Sequence, residues 1–185
     1  MISEDPYLKD VFPKPPLTAF KKQTNIQNIL IKSKLPCPPR HHEKRKVNGM
    51  SKCGKACTAC PFINEVKVIK IKNDSYWKIN RMLTCDNSNI IYMIQCNIDR
   101  CLKRYIGECK HSLHERLSDH RGYISNQVIS QATGAHFNLP GHSLANLTIT
   151  ILEIVKNNDD EYRKQREKYF IRKFNTYYEG LNRQQ

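Results

Sequence analysis

A chain of 185 residues, 39% hydrophobic and 26% charged, is long enough for one domain with appendages and too apolar to be wholly disordered. No apolar run approaches the roughly 18 residues that a membrane-spanning helix needs, and MISEDPYLKD lacks the apolar core of a signal peptide. The sequence therefore reads as soluble and intracellular, with no membrane partner. The net charge of +14 is uneven: residues 1–84 hold 17 Lys and Arg against 6 Asp and Glu, a net +11, whereas residues 85–185 hold 14 against 11, a net +3. A basic arm beside a near-neutral domain suits a partner with a phosphate backbone. The eight cysteines, reduced inside a cell, point to metal rather than to disulfides.

Residues 1–24 carry Pro6, Pro13, Pro15 and Pro16 without helical or alternating pattern and read as an extended lead-in. Thr24 can cap a short helix with Ile26, Ile29 and Leu30 on one side, ended by Pro36, Pro38 and Pro39. The basic, glycine-punctuated HHEKRKVNGMSK reads as a mobile linker in which His41 and His42 are exposed polar residues. Cys53, Cys57 and Cys60 then follow at C-x3-C-x2-C spacing, three thiolates in one tight turn with Gly54 easing the backbone. Tetrahedral zinc asks for a fourth soft ligand; Cys85 is the nearest candidate, with Cys37 and Cys96 as competitors. Between Cys60 and Cys85, VKVIKIKN and SYWKINRML read as a β-hairpin.

Two short apolar runs come next, Ile90-Ile91-Tyr92 and Tyr105-Ile106-Gly107, with 12 residues between their tyrosines. Ser112 and Glu115 form a capping box that opens a helix, with Leu113 and Leu117 on one face. Arg116 and His120 lie one turn apart on a neighbouring face. Cys96 and Cys101 sit between the two tyrosine strands, and His136 and His142 sit in GAHFNLPGHS. Together they have the composition of a closed structural zinc site; the same spacing also fits two packed thiols and two surface imidazoles.

LTITILEI, residues 147–154, alternates as a strand should. Asn157, Asn158 and Asp159 offer turn and cap residues before a charged helix from about Asp160 to Phe174, buried along Phe170, Ile171 and Phe174. Glu167 lies at the edge of that stripe, with Arg163, Lys168 and Arg172 available to pair with it. Gly180 is placed as the helix stop, ahead of Leu181 and Asn182.

From about residue 88 to 183 this order resembles the GIY-YIG endonuclease domain, and within it the variant carried by Penelope-like retroelements. The likeness rests on CGKACTAC, NIIYMIQC with Cys101 after it, RYIGEC, SLHERLSDHR, AHFNLPGHS, and REKYFIRKF followed by EGLNR. Upstream, FPKPPLTAF and NIQNILIKSKL are similar to the segment that joins reverse transcriptase to endonuclease in those elements. One departure is visible: the first motif's glycine is Ile90, and the retroelement variant resembles this chain in lacking it.

The resemblance implies an α+β fold, a small central antiparallel sheet flanked by helices, with zinc-binding insertions. The organisation it suggests is a basic, partly extended arm over 1–50, a Cys-rich zinc-binding subdomain over 51–87 and the endonuclease-like domain over 88–185. It implies divalent-metal-dependent cleavage of one DNA strand. Tyr92 would act in deprotonating the attacking water, Tyr105 would lie near the scissile phosphate, and Arg116, His120, Glu167 and Asn182 would complete the catalytic set. Zinc would be held by Cys96, Cys101, His136 and His142, and by Cys53, Cys57, Cys60 and Cys85. One carboxylate, Glu167, suffices for a single Mg²⁺ that keeps most of its waters, and a two-metal site would want several acids. A phenol's ordinary pKa of about 10 makes Tyr92 a poor base, so a cationic neighbourhood of Arg116, metal and protonated His120 is expected to lower it. The partner is DNA, with element RNA or a reverse-transcriptase domain as further partners, and the setting is nuclear. The competing reading is a catalytically inactive, zinc-stabilised nucleic-acid-binding module derived from such an element.

Overall fold

In the computed structural model the described residues are 47–72, 74–156 and 159–182. The lead-in, the short helix after Thr24, Cys37, His41, His42, Asn157 and Asn158 lie outside them. The centre is a three-stranded antiparallel sheet in the order β6-β5-β7, formed by β5 (Ile90–Cys96), β6 (Arg104–Cys109) and β7 (Leu147–Ile154). Three helices occur among the described residues: α1 (Leu113–Ser125), α2 (Ala132–Phe137) and α3 (Asp160–Phe174). This is the expected α+β architecture.

β5 is buried along almost its whole length, as a central strand covered on both faces must be. Its register decides which side chains share a face. Tyr92 stands opposite Gly107 and Ile94 opposite Tyr105, so both tyrosines point to one side. Ile91 stands opposite Glu108 on one neighbour and Glu153 on the other, and these point to the other side. A bulge in β7 between its partners for Ile91 and Tyr92 leaves Leu152 as the extra residue.

α1 lies on the tyrosine face. Ser112 caps it by accepting the Glu115 backbone N–H at 3.2 Å, and Leu113 and Leu117 are buried as its spacing predicts. α3 lies on the opposite face, where Arg163 pairs with Glu108 and Arg166 with Glu153. Its bounds are those read from the sequence. Its stop is not: Asn175, in the left-handed conformation at φ 53°, caps it, and Gly180 lies beyond. Gly180 is needed for contact instead, since a Cβ there would meet the Arg104 carbonyl oxygen at 2.4 Å.

The hairpin is present as β2 (Val68–Lys70) against β3 (Tyr76–Lys78). Ile69 is its buried residue and Val68 is exposed. Part of the stretch read as linker is ordered: β1 (Gly49–Met50) pairs in parallel with β4 (Met82–Leu83). Ile63 bridges Ile149 of β7, so this upstream segment extends the sheet's second edge. Met50, Ile63, Ile69, Ile79 and Leu83 join the same apolar core as the sheet.

Candidate active site and metal centres

Tyr92 is fully buried (0% exposed) at the middle of β5. Its phenol oxygen accepts a hydrogen bond from Arg116 Nε at 2.9 Å and lies 2.7 Å from His120 Nε2. The one-turn spacing of Arg116 and His120 on α1 thus brackets the phenol from one helix face. Arg116 has only donors, so the phenol's own proton is directed to His120 Nε2. The other ring nitrogen, Nδ1, lies 2.9 Å from Thr133 Oγ1 on α2. The result is a hydrogen-bonded chain that runs from Arg116 through Tyr92 and His120 to Thr133.

Tyr105 completes the cluster, its ring 6.4 Å from that of Tyr92 and 5.7 Å from the His120 imidazole. Gly107, opposite Tyr92, makes the packing possible. A Cβ there would sit 2.5 Å from the Tyr92 hydroxyl and 3.0 Å from the Tyr105 ring. The close backbone approach therefore falls on the second motif's glycine. Ile90, at the first motif's glycine position, is fully buried in regular pairing with Cys109 and Ile154.

The electrostatics correct one expectation. Burial pushes the Tyr92 phenol well above its usual range, with Tyr105 adding to the rise; Arg116 pulls it down but does not prevail. Burial, and then the nearby Arg116 charge, push His120 down to about 3, so the imidazole is neutral and supplies no positive charge. The low dielectric around the phenol outweighs the single cation beside it.

Glu167 is half-buried on α3 and takes part in none of the ion pairs among the described residues. Of the three cations expected to be available to it, Arg163 holds Glu108 and Asp160 instead, and Lys168 and Arg172 form no ion pair with it among the described residues. Burial, then the Glu108 charge, push its carboxyl up to about 7, against a lowering by the Glu108 backbone N–H and by Arg116. Its charge in turn raises the Tyr105 phenol, whose main perturbation is burial. Glu167 thus lies at the outer edge of β6, close enough for its charge to be felt by Tyr105 and Arg116.

Asn182 also sits on that edge. It accepts the Ile106 backbone N–H at 2.9 Å and donates to the Ile106 carbonyl at 2.7 Å, while the Leu181 N–H bonds the Arg104 carbonyl at 2.8 Å. Its amide pairs in both directions with the strand that carries Tyr105 and so holds that strand. The structure brings Tyr92, Tyr105, Arg116 and His120 together, sets Glu167 within electrostatic range of Tyr105 and Arg116, and pairs Asn182 with Ile106, the residue after Tyr105. Thr133 and Gly107 are the contacts of this cluster that residue-by-residue reading passes over. The six-residue α2 is too short for periodicity to reveal, and only the strand register shows what Gly107 faces.

The cysteines assemble as two separate sites. Cys53, Cys57, Cys60 and Cys85 have their sulfurs within 4.8 Å of one another, with Cys53 to Cys60 at 3.5 Å and Cys57 to Cys85 at 3.4 Å. Four thiolates about 2.3 Å from a tetrahedral zinc stand roughly 3.8 Å apart, so the set fits that ion. Gly54 turns the loop at φ 76°. Cys85 is therefore the fourth member, and Cys96 belongs to the other site. Cys96, Cys101, His136 and His142 also have their ligand atoms within 4.8 Å of one another. Here the fit rests on an orphaned atom. His142 Nδ1 lies 3.3 Å from the Pro140 carbonyl, while its Nε2 is buried with no hydrogen bond among the described residues and faces the Cys101 sulfur. A carbonyl on one nitrogen and a bare lone pair on the other is the usual state of a metal-binding histidine.

The model of the GIY-YIG catalytic domain matches residues 88–182. The chain belongs to the GIY-YIG family, and that makes it a nuclease in general terms: a hydrolase whose substrate is nucleic acid and whose family uses divalent metal. No curated protein and no solved structure matches it.

Proposed function

We propose that this chain is a DNA endonuclease of the Penelope-like retroelement kind, nicking one strand to prime insertion in the nucleus, with one catalytic Mg²⁺ and two structural Zn²⁺. The observation that carries the reading is the buried Tyr92 phenol held between Arg116 and His120 and packed beside Tyr105, whose phenol feels the Glu167 charge. The retroelement assignment is supported by motif order and by the assembly of both Cys-containing sites. It treats the basic arm of residues 1–50 as a further DNA contact, with element RNA or a reverse-transcriptase domain as additional partners.

A buried phenol with a raised pKa does not act as a free phenolate. It accepts a proton from the attacking water while its own proton passes to His120 Nε2. The water oxygen bonds to phosphorus, and the bond from phosphorus to the leaving oxygen breaks. His120 is neutral at rest, and because burial and Arg116 oppose its protonation, it can hold that proton only with the negative charge of the bound phosphate close by. Positioned proton transfer of this kind contributes about 10²- to 10⁴-fold. Arg116 spends Nε on Tyr92 and Nη1 on Asp119 and presents its remaining N–H donors to a phosphate oxygen. Glu167, half-buried with a carboxyl pushed up to about 7, is relieved by a cation, which fits it as the metal ligand. A divalent ion held there would neutralise charge on the phosphoryl group and assist the leaving oxygen.

The test is nicking of supercoiled plasmid with Mg²⁺, with and without EDTA. Tyr92→Phe and Glu167→Ala should each abolish nicking and leave DNA binding intact; either variant cutting at the wild-type rate would remove that residue's role. Wild-type protein that binds DNA and does not cut it would instead be the inactive binding module. The zinc sites are checked separately by metal content of the reduced protein. Two zinc ions per chain are expected, and none would remove both sites.

A further inference from the structure

We propose that Thr133 is a positioning residue for His120, setting which imidazole nitrogen is free to take the Tyr92 proton. The inference rests on the nuclease reading for its consequence, and on geometry for its substance. Tyr92 is fully buried, its phenol oxygen 2.9 Å from Arg116 Nε and 2.7 Å from His120 Nε2, with the Tyr105 hydroxyl as a further neighbour. Arg116 can only donate, and the Tyr105 hydroxyl has a proton of its own to place, so a bare His120 Nε2 is the acceptor that meets the phenol proton at its shortest neutral contact. A neutral imidazole with a bare Nε2 carries its proton on Nδ1, and at Nδ1 the partner is the Thr133 hydroxyl, 2.9 Å away and itself buried.

The opposite tautomer would point two N–H groups, from Arg116 and His120, at one phenol oxygen. The phenol proton would then lose the acceptor at its shortest contact. It would also block the relay, because Tyr92 could not take a proton from water without passing one on. Thr133 exchanges no proton in the reaction; its oxygen holds the Nδ1 proton where it is.

The hydroxyl is held in place by the packing of α2. Gly134 lets the helix close on its neighbours: a Cβ there would lie 2.3 Å from the Val128 carbonyl oxygen and 2.9 Å from that of Tyr123. Asn138 Nδ2 donates to the Ile124 carbonyl at 2.9 Å, tying the end of α2 to the end of α1. His136, one turn after Thr133, belongs to the Cys96, Cys101, His136, His142 set. Through α2, that site therefore bears on the tautomer of a catalytic histidine some distance from any thiol.

Nitrogen-15 spectra of histidine-labelled full-length protein, with His120 assigned by its loss in His120→Gln, read the tautomer directly. Wild type should show His120 protonated on Nδ1 alone; a proton on Nε2 overturns the proposal whether or not the protein cuts DNA. Thr133→Val keeps the shape and removes the hydroxyl. It should lower kcat by about 10- to 100-fold, the scale seen when the outer partner of a ligating histidine is lost. KM for DNA and zinc content should stay at wild-type values, and the Nδ1 preference should be lost. Thr133→Ser should restore both tautomer and kcat to within about threefold, on the same scale. A Thr133→Val protein with wild-type kcat and tautomer refutes the role. Wild-type protein that shows the Nδ1 tautomer but never nicks would refute the nuclease reading and leave the positioning intact.

Discussion

The two faces of the central sheet are built from opposite materials. On the α3 face, Phe170 packs edge-on to Trp77 at 4.9 Å between centroids, Phe174 adjoins it, and Lys173 lies 4.6 Å from the centre of the Trp77 ring. The charges there are closed in pairs, Arg163 with Glu108 and Arg166 with Glu153. On the α1 face a buried polar chain runs from Arg116 through Tyr92 and His120 to Thr133, and its outer end opens at Arg116, whose side chain is 25% exposed. A closed apolar face spends its residues on stability. A face carrying an unclosed polar chain spends them on chemistry, and tolerates a buried phenol and imidazole only because every proton has a place to go.

The largest expected effect tests that division from the stable side. Phe170→Ala removes a fully buried ring from the α3 face and should cost about 3–5 kcal/mol of stability, the range for large-to-small core changes. Cleavage per folded molecule should not change. Urea unfolding together with single-turnover nicking separates the two quantities. Tyr92→Phe should do the reverse, losing nicking with a smaller shift in the unfolding midpoint. If Phe170→Ala also lowered the single-turnover rate of the folded fraction, the two faces would not be functionally separate.

This division also marks what could be read from residue order. The hydrophobic face is periodic, so α3, β7 and the Leu113, Leu117 stripe of α1 are visible as patterns. The Ser112 cap and both tyrosine strands are visible for the same reason: each is a local signal repeated at the period of its element. Of the polar cluster, the Arg116 and His120 pair was legible through its spacing, since residues one turn apart share a side. Thr133 was not, because it meets His120 by tertiary packing across a turn, with Gly134 permitting the approach. The phenol's pKa was misjudged because charge can be counted along a chain, whereas the depth of burial that outweighs it cannot. At the helix end the stop fell on Asn175, a residue able to adopt positive φ, and Gly180 served a contact with Arg104 that only the folded edge of β6 reveals.

The smallest effect is electrostatic and belongs to the seam where the two faces meet at the β6 edge. Glu167 has a carboxyl pushed up to about 7 by burial and by Glu108. Its folded pKa lies above that of the unfolded chain, so between roughly pH 4.5 and 7 the folded state binds the extra proton. Metal-free stability should therefore decline gently as pH rises through that window. Metal binding needs the carboxylate, so Mg²⁺ affinity should climb with pH and level off above about 7. Well below that point it should fall about tenfold per pH unit, as one-proton linkage requires. His120, held neutral down to about 3, should add no step of its own. Mg²⁺ titrations of the full-length protein by calorimetry at pH 5.5, 6.5, 7.5 and 8.5 would read this slope. A flat affinity from pH 5.5 upward would mean that Glu167 titrates like an ordinary surface acid. It would then lie outside the low-dielectric pocket that raises Tyr92, and the edge of β6 would not join the catalytic face at all.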